Sequence, residues 1–235
     1  MKYTTKPSII ATLFIILNCI PGCSSASDKK ESTVKSHTTE KQVTTQMNVH
    51  IIVGSTRITK TGLKIAQNIK AMVDKRSEIN AEIVDIASYN LPFYVDEVAP
   101  ANRKGEVTDP AFKNWSDTIK KADGYIIVSP VYNDGYTAPL KNALDCLYKE
   151  WNNKPVAFIG YSGGPNGGAG MIAQLRQVVR ELRMIPIAAD IKIPFSWKAF
   201  NENGGLVNAD TIEKELTLVI DQLLEAQSKK VAQTQ

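Results

Sequence analysis

The sequence predicts an α/β fold: a five-stranded parallel sheet with helices on both faces. Three observations carry this. Five short runs rich in Val, Ile and Ala alternate with longer stretches whose apolar residues recur at helical spacing. None of the five runs sustains an apolar/polar alternation, so both faces of each strand are expected to be buried, as in parallel sheets. Right-handed crossovers then leave few topologies, and the strand order 2-1-3-4-5 fits five strands. In such a sheet ligands sit outside the carboxyl ends of the strands, at the switch point between the first and third.

The elements follow in order. Val49–Val53 is the first strand, and Thr61–Lys75 a helix carrying Leu63, Ile65, Ala66, Ile69, Met72 and Val73 on one side. Glu82–Ile86 is the second strand. Asp109-Pro110 opens a helix to about Lys121, with proline in the first turn where its missing N–H costs nothing. Gly124–Ser129 is the third strand and Ala138–Trp151 a helix. Pro155–Tyr161 is the fourth strand, Ala169–Leu182 a helix and Ile187–Ile193 the fifth strand. Ala209–Gln227 is the last helix, and residues 229–235 read as a polar tail. The domain therefore spans 47–228, with no internal repeat.

Ahead of it lies a different composition. Lys2 and Lys6 form a basic start, and Ile9–Leu17 is an apolar run too short to span a membrane. It ends in Ile20-Pro21-Gly22-Cys23. A small residue before Cys, preceded by an aliphatic one, resembles the lipobox of bacterial lipoproteins, although Pro21 is unusual there. By that resemblance 1–22 is a signal peptide, Cys23 is lipidated, and Ser24 favours an outer membrane. A plain secretory signal or short anchor is the other reading. Residues 23–46, rich in Ser, Thr, Lys and Glu, cannot bury enough surface to fold. They read as a tether reaching roughly 25–30 Å from a membrane surface.

The net charge of +4 is mild, and many lysines sit at the two ends, so no nucleic-acid surface is expected. With Cys19 removed and Cys23 acylated, Cys146 stands alone and no intramolecular disulfide is expected. His37 and His50 are the two histidines, one in the tether and one in a strand, so no metal site is expected.

Three loops leave strand carboxyl ends with specialised residues. The first, Gly54-Ser55-Thr56-Arg57 to Lys60 and Gly62, delivers a hydroxyl and cations to a helix N-terminus, a natural anion site. It has neither the glycine spacing of a dinucleotide fold nor the Gly-Lys-Ser/Thr of a P-loop, and it is equally readable as an ordinary strand-to-helix turn. The second is Pro130-Val131-Tyr132-Asn133-Asp134-Gly135. The third is Ser162-Gly163-Gly164-Pro165-Asn166-Gly167-Gly168. Together they suit a flat heteroaromatic ligand ending in a phosphate. Tyr132 is placed to stack or shield, Asn133 to hydrogen-bond a ring edge, and the glycines to admit close backbone approach. Taken singly, Tyr132 is equally simple packing and the glycine run a flexible turn.

These motifs resemble the NADPH-dependent FMN reductases, the flavodoxin-like group that includes azoreductases, chromate reductases and quinone reductases. Gly54-Ser55-Thr56-Arg57 is similar to the family's phosphate loop, and Ser129-Pro130-Val131-Tyr132-Asn133 to its Pro-x-Tyr-Asn loop. Leu140-Lys141-Asn142-Ala143-Leu144-Asp145 matches the helix that follows. Lys154-Pro155-Val156, Ser162-Gly163-Gly164 and Gln174-Leu175-Arg176 match as well, so the likeness runs from about Val49 to Phe195. Lys60 and Gly62 follow the members carrying Arg and Gly there, whereas many carry Ser and Asn. Asp134-Gly135-Tyr136 replaces the usual small residues, and Tyr136 would narrow the substrate side.

The resemblance implies a flavodoxin-like three-layer α/β/α sandwich and a non-covalent FMN held by Ser55, Arg57, Lys60, Gly62, Pro130, Val131, Tyr132, Asn133, Ser162, Gly163, Gly164 and Gly167. It implies NADPH or NADH as reductant and a quinone, azo compound, flavin or metal oxyanion as acceptor. Turnover is ping-pong, the flavin carries the redox chemistry, and no acid–base residue is required. It also implies a homodimer or homotetramer, built in part on the Leu140–Asp145 helix. A lipidated protein would face a compartment where NADPH is not expected. The alternatives are an FMN-binding electron carrier reduced by a membrane or protein partner, a surface binding module that has lost its flavin, or a cytoplasmic enzyme whose signal is misread.

Overall fold

A computed structural model describes residues 46–234. The expected signal peptide, the expected lipidation at Cys23 and nearly all of the expected tether lie outside the described residues. The elements are β1 (Met47–Val53), α1 (Thr61–Val73), β2 (Ile79–Asp85), α2 (Pro110–Lys121), β3 (Gly124–Pro130), α3 (Ala138–Asp145), β4 (Pro155–Tyr161), α4 (Ala169–Glu181), β5 (Ile185–Ile193) and α5 (Ala209–Thr234). Short 3₁₀ turns occupy Ile86–Ser88, Pro100–Asn102 and Ser196–Lys198.

The sheet is wholly parallel and ordered β2-β1-β3-β4-β5, as the sequence predicts. Because strand side chains alternate between faces, each apolar run feeds two cores. Ile51, Val53, Ile126, Val128, Ala157 and Ile159 meet Ile65, Ile69 and Val73 of α1 and Leu216, Val219 and Leu223 of α5. Ile52, Tyr125, Ile127 and Phe158 meet Phe112 and Trp115 of α2, Leu140 and Leu144 of α3, and Leu175 and Val179 of α4. Each such side chain taken from water contributes about 1.5–3 kcal/mol.

Several boundaries depart from expectation for visible reasons. β1 and β2 both begin earlier, because they pair in register from Met47 opposite Ile79 to Val53 opposite Asp85. The Asp85 carboxylate then accepts the Ala87 N–H at 3.0 Å and turns the chain into a 3₁₀ turn. α3 stops at Asp145 instead of running to Trp151. Two indoles claim its free carbonyls: Trp115 Nε1 donates to Ala143 O at 2.7 Å and Trp151 Nε1 to Leu144 O at 3.1 Å. The two rings lie edge to face, 6.0 Å apart, and both are fully buried. α5 continues through the expected polar tail to Thr234, supported by a Lys229–Glu225 pair one turn apart at 2.6 Å.

Candidate functional site at the strand carboxyl ends

The loops after β1, β3 and β4 leave the same end of the sheet. The first is fixed by its neighbours. Gly54 N–H donates to Val128 O at 2.8 Å, and Gly54 O accepts the buried Thr137 hydroxyl at 2.6 Å. A Cβ on Gly54 would come within 2.9 Å of Leu140. Ser55 follows, buried, its Oγ accepting the Arg57 N–H at 3.4 Å. Lys60 adopts a left-handed conformation (φ 54°) and α1 begins behind it without a side-chain cap or an acidic residue in its first turn. Its first N–H groups and the positive end of the helix dipole therefore face the loop. Arg57 is exposed, and its guanidinium forms no ion pair among the described residues. Lys60, by contrast, is engaged: Nζ lies 3.1 Å from the Asp85 carboxylate.

The second loop opens with Val131, whose N–H donates to Tyr161 O at 3.1 Å. Tyr132 and Gly135 exchange two backbone hydrogen bonds of 2.8 and 3.0 Å around Asn133 and Asp134, both at positive φ (50° and 63°). This is the geometry of a tight primed turn, which favours Asn and Asp. Asn133 thus has a conformational reason to be there. Tyr132 is 38% exposed at the turn's base, while Tyr136 packs partly buried against the α2–α4 core. The Asp134 carboxylate fills the space that a Cβ on Gly170 would need, against the first turn of α4, and Gln174 Nε2 donates to Asp134 O at 3.0 Å.

The third loop divides. Around Gly163 and Gly164 a Cβ would meet nothing within 4 Å, so this stretch is open to approach. Gly167 and Gly168 are demanded by the chain itself. Both have positive φ (57° and 103°), and a Cβ on Gly167 would come within 3.0 Å of the Ile193 nitrogen. Packing and conformation thus account for Gly167 without a ligand. Ser162 Oγ donates to Gly164 O at 3.0 Å. The segment after β5 supports the loop: Ser196 N–H donates to Ser162 O at 2.8 Å and Phe195 N–H to Gly164 O at 3.1 Å. Phe195 is itself left-handed (φ 48°), an uncommon conformation for a bulky residue. Beside it Trp197 stands 74% exposed, with the Lys198 ammonium 5.3 Å from its ring centre.

Two clefts open at this end of the sheet. One, of about 270 Å³, is lined by Val131, Asp134, Ser162, Gly163 and Gly164. The other, of about 390 Å³, lies between Thr56, Leu91, Phe93, Pro139 and Asn142. A larger groove, about 760 Å³, lies at the opposite end of the sheet between β5 and α5. The uncapped head of α1 and the three specialised loops draw the site to the carboxyl ends instead.

Four residues with a role here were not legible as site residues. Tyr161 ends β4, is 5% exposed, and sets its hydroxyl over Gly62. Burial pushes that phenol up to about 12. Thr137 joins α3 to the first loop. Asp134 serves α4. Asn142 donates to Pro92 O at 2.8 Å and accepts from the Tyr94 N–H at 2.9 Å, clamping the segment that carries exposed Phe93 and Val95. Cys146 is buried and its thiol pushed up to about 12 by burial, which makes it unreactive. Among the described residues no group of His, Cys, Asp and Glu could hold a metal, and no helix is long and apolar enough to cross a membrane.

The family model described as NADPH-dependent FMN reductase matches residues 47–198. The chain is 36% identical over 158 residues to NAD(P)H-dependent FMN reductase LOT6 of Saccharomyces cerevisiae, covering 63% of this chain and 82% of that protein. It is 28% identical over 180 residues to an FMN-dependent NADPH-azoreductase of Staphylococcus saprophyticus, covering 74% of this chain and 92% of the other. Among solved structures, the flavoenzyme NAD(P)H:(acceptor) oxidoreductase FerB of Paracoccus denitrificans superposes with a TM-score of 0.62 at 23% identity, over 78% of this chain and 98% of its own, a likeness of fold.

Proposed function

The chain belongs to the NADPH-dependent FMN reductase family, and from that membership we propose how its loops hold the flavin and where the protein works. It is an NAD(P)H-dependent oxidoreductase that carries FMN and passes electrons through it to a small acceptor. FMN, when bound, would supply the hydride-accepting and electron-transfer chemistry between nicotinamide and acceptor. The protein supplies position, hydrogen bonds and shielding.

The observation that carries the assignment of the loops is the uncapped head of α1, with no acid in its first turn, beside buried Ser55 and unpaired Arg57. This donor set fits a dianionic phosphate. Ser55, Arg57 and the N–H groups around Gly62 hold it, and Lys60, tied to Asp85, adds a neighbouring positive charge. Pro130, Val131 and Tyr132 shape one side of the ring site, and Asn133 reaches its edge. Ser162, Gly163 and Gly164 offer backbone groups across the cleft, with Gly167 behind them. Titrating the protein with FMN, then measuring NADPH against NADH oxidation with FMN supplied, tests the reading. FMN-dependent oxidation is expected; a protein that binds no FMN and oxidises neither nucleotide overturns it.

The acceptor class extends the proposal to quinones, azo compounds, free flavins or metal oxyanions, and the assembly to a homodimer or homotetramer. Exposed Phe93 and Val95, held beside α3, support a subunit contact. For location, the basic start, the Ile9–Leu17 run and the Gly22-Cys23 junction support a signal peptide over 1–22, lipidation at Cys23, a tether over 23–46 and a domain over 47–228. Several acyl chains would hold the protein stably at a bilayer facing the periplasm or cell exterior. Cys23→Ala should abolish lipid attachment and move the protein out of the membrane fraction. Wild type found in the cytosol with Met1 retained overturns this placement and leaves the cytoplasmic enzyme.

A further inference from the structure

We propose that Tyr161 is a further binding residue of the phosphate site: seated on the head of α1 beside Ser55, its phenol presents its one proton to the anion. The inference rests on the FMN reading above and assigns a residue from a strand other than the one that carries the phosphate loop.

The backbone of Tyr161 is fixed on both sides. It lies opposite Pro130 of β3 and Ile193 of β5, and its carbonyl accepts the Val131 N–H at 3.1 Å. The side chain turns to the α1 and α5 face and is 5% exposed. Its oxygen sits where a Cβ on Gly62 would come within 2.8 Å. Gly62 is the one glycine in α1, so the helix has traded propensity at its second position for room for this hydroxyl.

The phenol oxygen stands against Gly62 at the head of α1. Ser55 and the Gly62 backbone are the neighbours that favour its ionised form, as donors directed at that oxygen do. A phenol has one proton to give. With those neighbours directed at its oxygen, that proton is left for a ligand oxygen at the head of α1. Ser55 Oγ is already approached by the Arg57 N–H at 3.4 Å. The phenol thus joins Ser55, and the loop that carries Arg57, at the α1 head. Burial raises the phenol to about 12, so at neutral pH it remains protonated and does not repel a phosphate. A residue that merely filled the core there could be phenylalanine with no consequence for ligands.

The test uses Tyr161→Phe and Gly62→Ala in the full chain. Each protein is titrated with FMN and with riboflavin, which has the same ring and no phosphate, and its melting temperature is recorded. Tyr161→Phe should weaken FMN by roughly ten-fold or more, as for a lost hydrogen bond to a charged group, and leave riboflavin unchanged. Gly62→Ala should lose FMN preference in the same way, because the new methyl displaces the hydroxyl. If Tyr161→Phe keeps the wild-type FMN-to-riboflavin ratio, or is too unstable to titrate, the residue is packing and the proposal falls. Wild type that prefers FMN while both variants also do overturns the role of Tyr161 alone. Wild type that does not distinguish FMN from riboflavin overturns the phosphate assignment as well.

Discussion

α1 and α4 begin at the same end of the sheet and in the same manner, yet their N-termini face opposite situations. Each is preceded by a left-handed residue, Lys60 or Gly168, and neither has a side-chain cap. Both therefore present free N–H groups and about half a positive charge. At α4 the chain provides its own anion: Asp134 lies against Gly170, and Gln174 grips the Asp134 carbonyl. At α1 no carboxylate stands in the first turn, and the surrounding groups are the hydroxyls of Ser55 and Tyr161 and the cation of Arg57. An uncapped helix therefore does not by itself mark an anion site. The mark is an uncapped helix that the chain has left without an internal anion.

The difference can be broken at either end. The largest effect is expected at α1. Arg57→Ala removes the charge-assisted contact and should weaken FMN by about 1.5–3 kcal/mol, with riboflavin unaffected; identical titrations of mutant and wild type would return Arg57 to ordinary surface. Next comes Gly170→Val, which forces the Asp134 carboxylate out of its seat. A cost of about 1–3 kcal/mol in stability is expected from overpacking, read as a lower denaturant midpoint. An unchanged midpoint would mean that the second loop yields freely. Asp134→Ala should cost less, about 0.3–1 kcal/mol for a lost charge at a helix N-terminus. That loss should shrink in high salt, and the preference for FMN over riboflavin should stand. The smallest effect is expected of Lys60→Ala. Its pair with Asp85 is partly exposed and worth at most about 1 kcal/mol, so the melting temperature should hardly move. A large drop in FMN affinity would instead place Lys60 on the phosphate.

Fold and site differ in how far the sequence discloses them. The sheet is readable because buried parallel strands such as Gly124–Pro130 are apolar on both faces and leave no doubt about period. The turn residues Ser55, Arg57, Asn133 and Gly163 are readable because they are local. What escapes is set by distant partners. α3 ends early because Trp115 and Trp151, far apart in sequence, take its last carbonyls. Gly62 makes sense only once Tyr161 is seen above it, and Gly170 only beside Asp134. Gly167 shows the reverse: a glycine read as ligand-binding also has a reason in the backbone of β5 next to it.

The placement of the three tryptophans gives the molecule two separate optical signals. Trp115 and Trp151, sealed at the end of α3, should emit in the blue and resist acrylamide. Trp197, 74% exposed beside the Gly163–Gly164 loop, should emit to the red and quench readily. A single emission spectrum would then report the integrity of the core and the condition of the loop independently, each at its own wavelength.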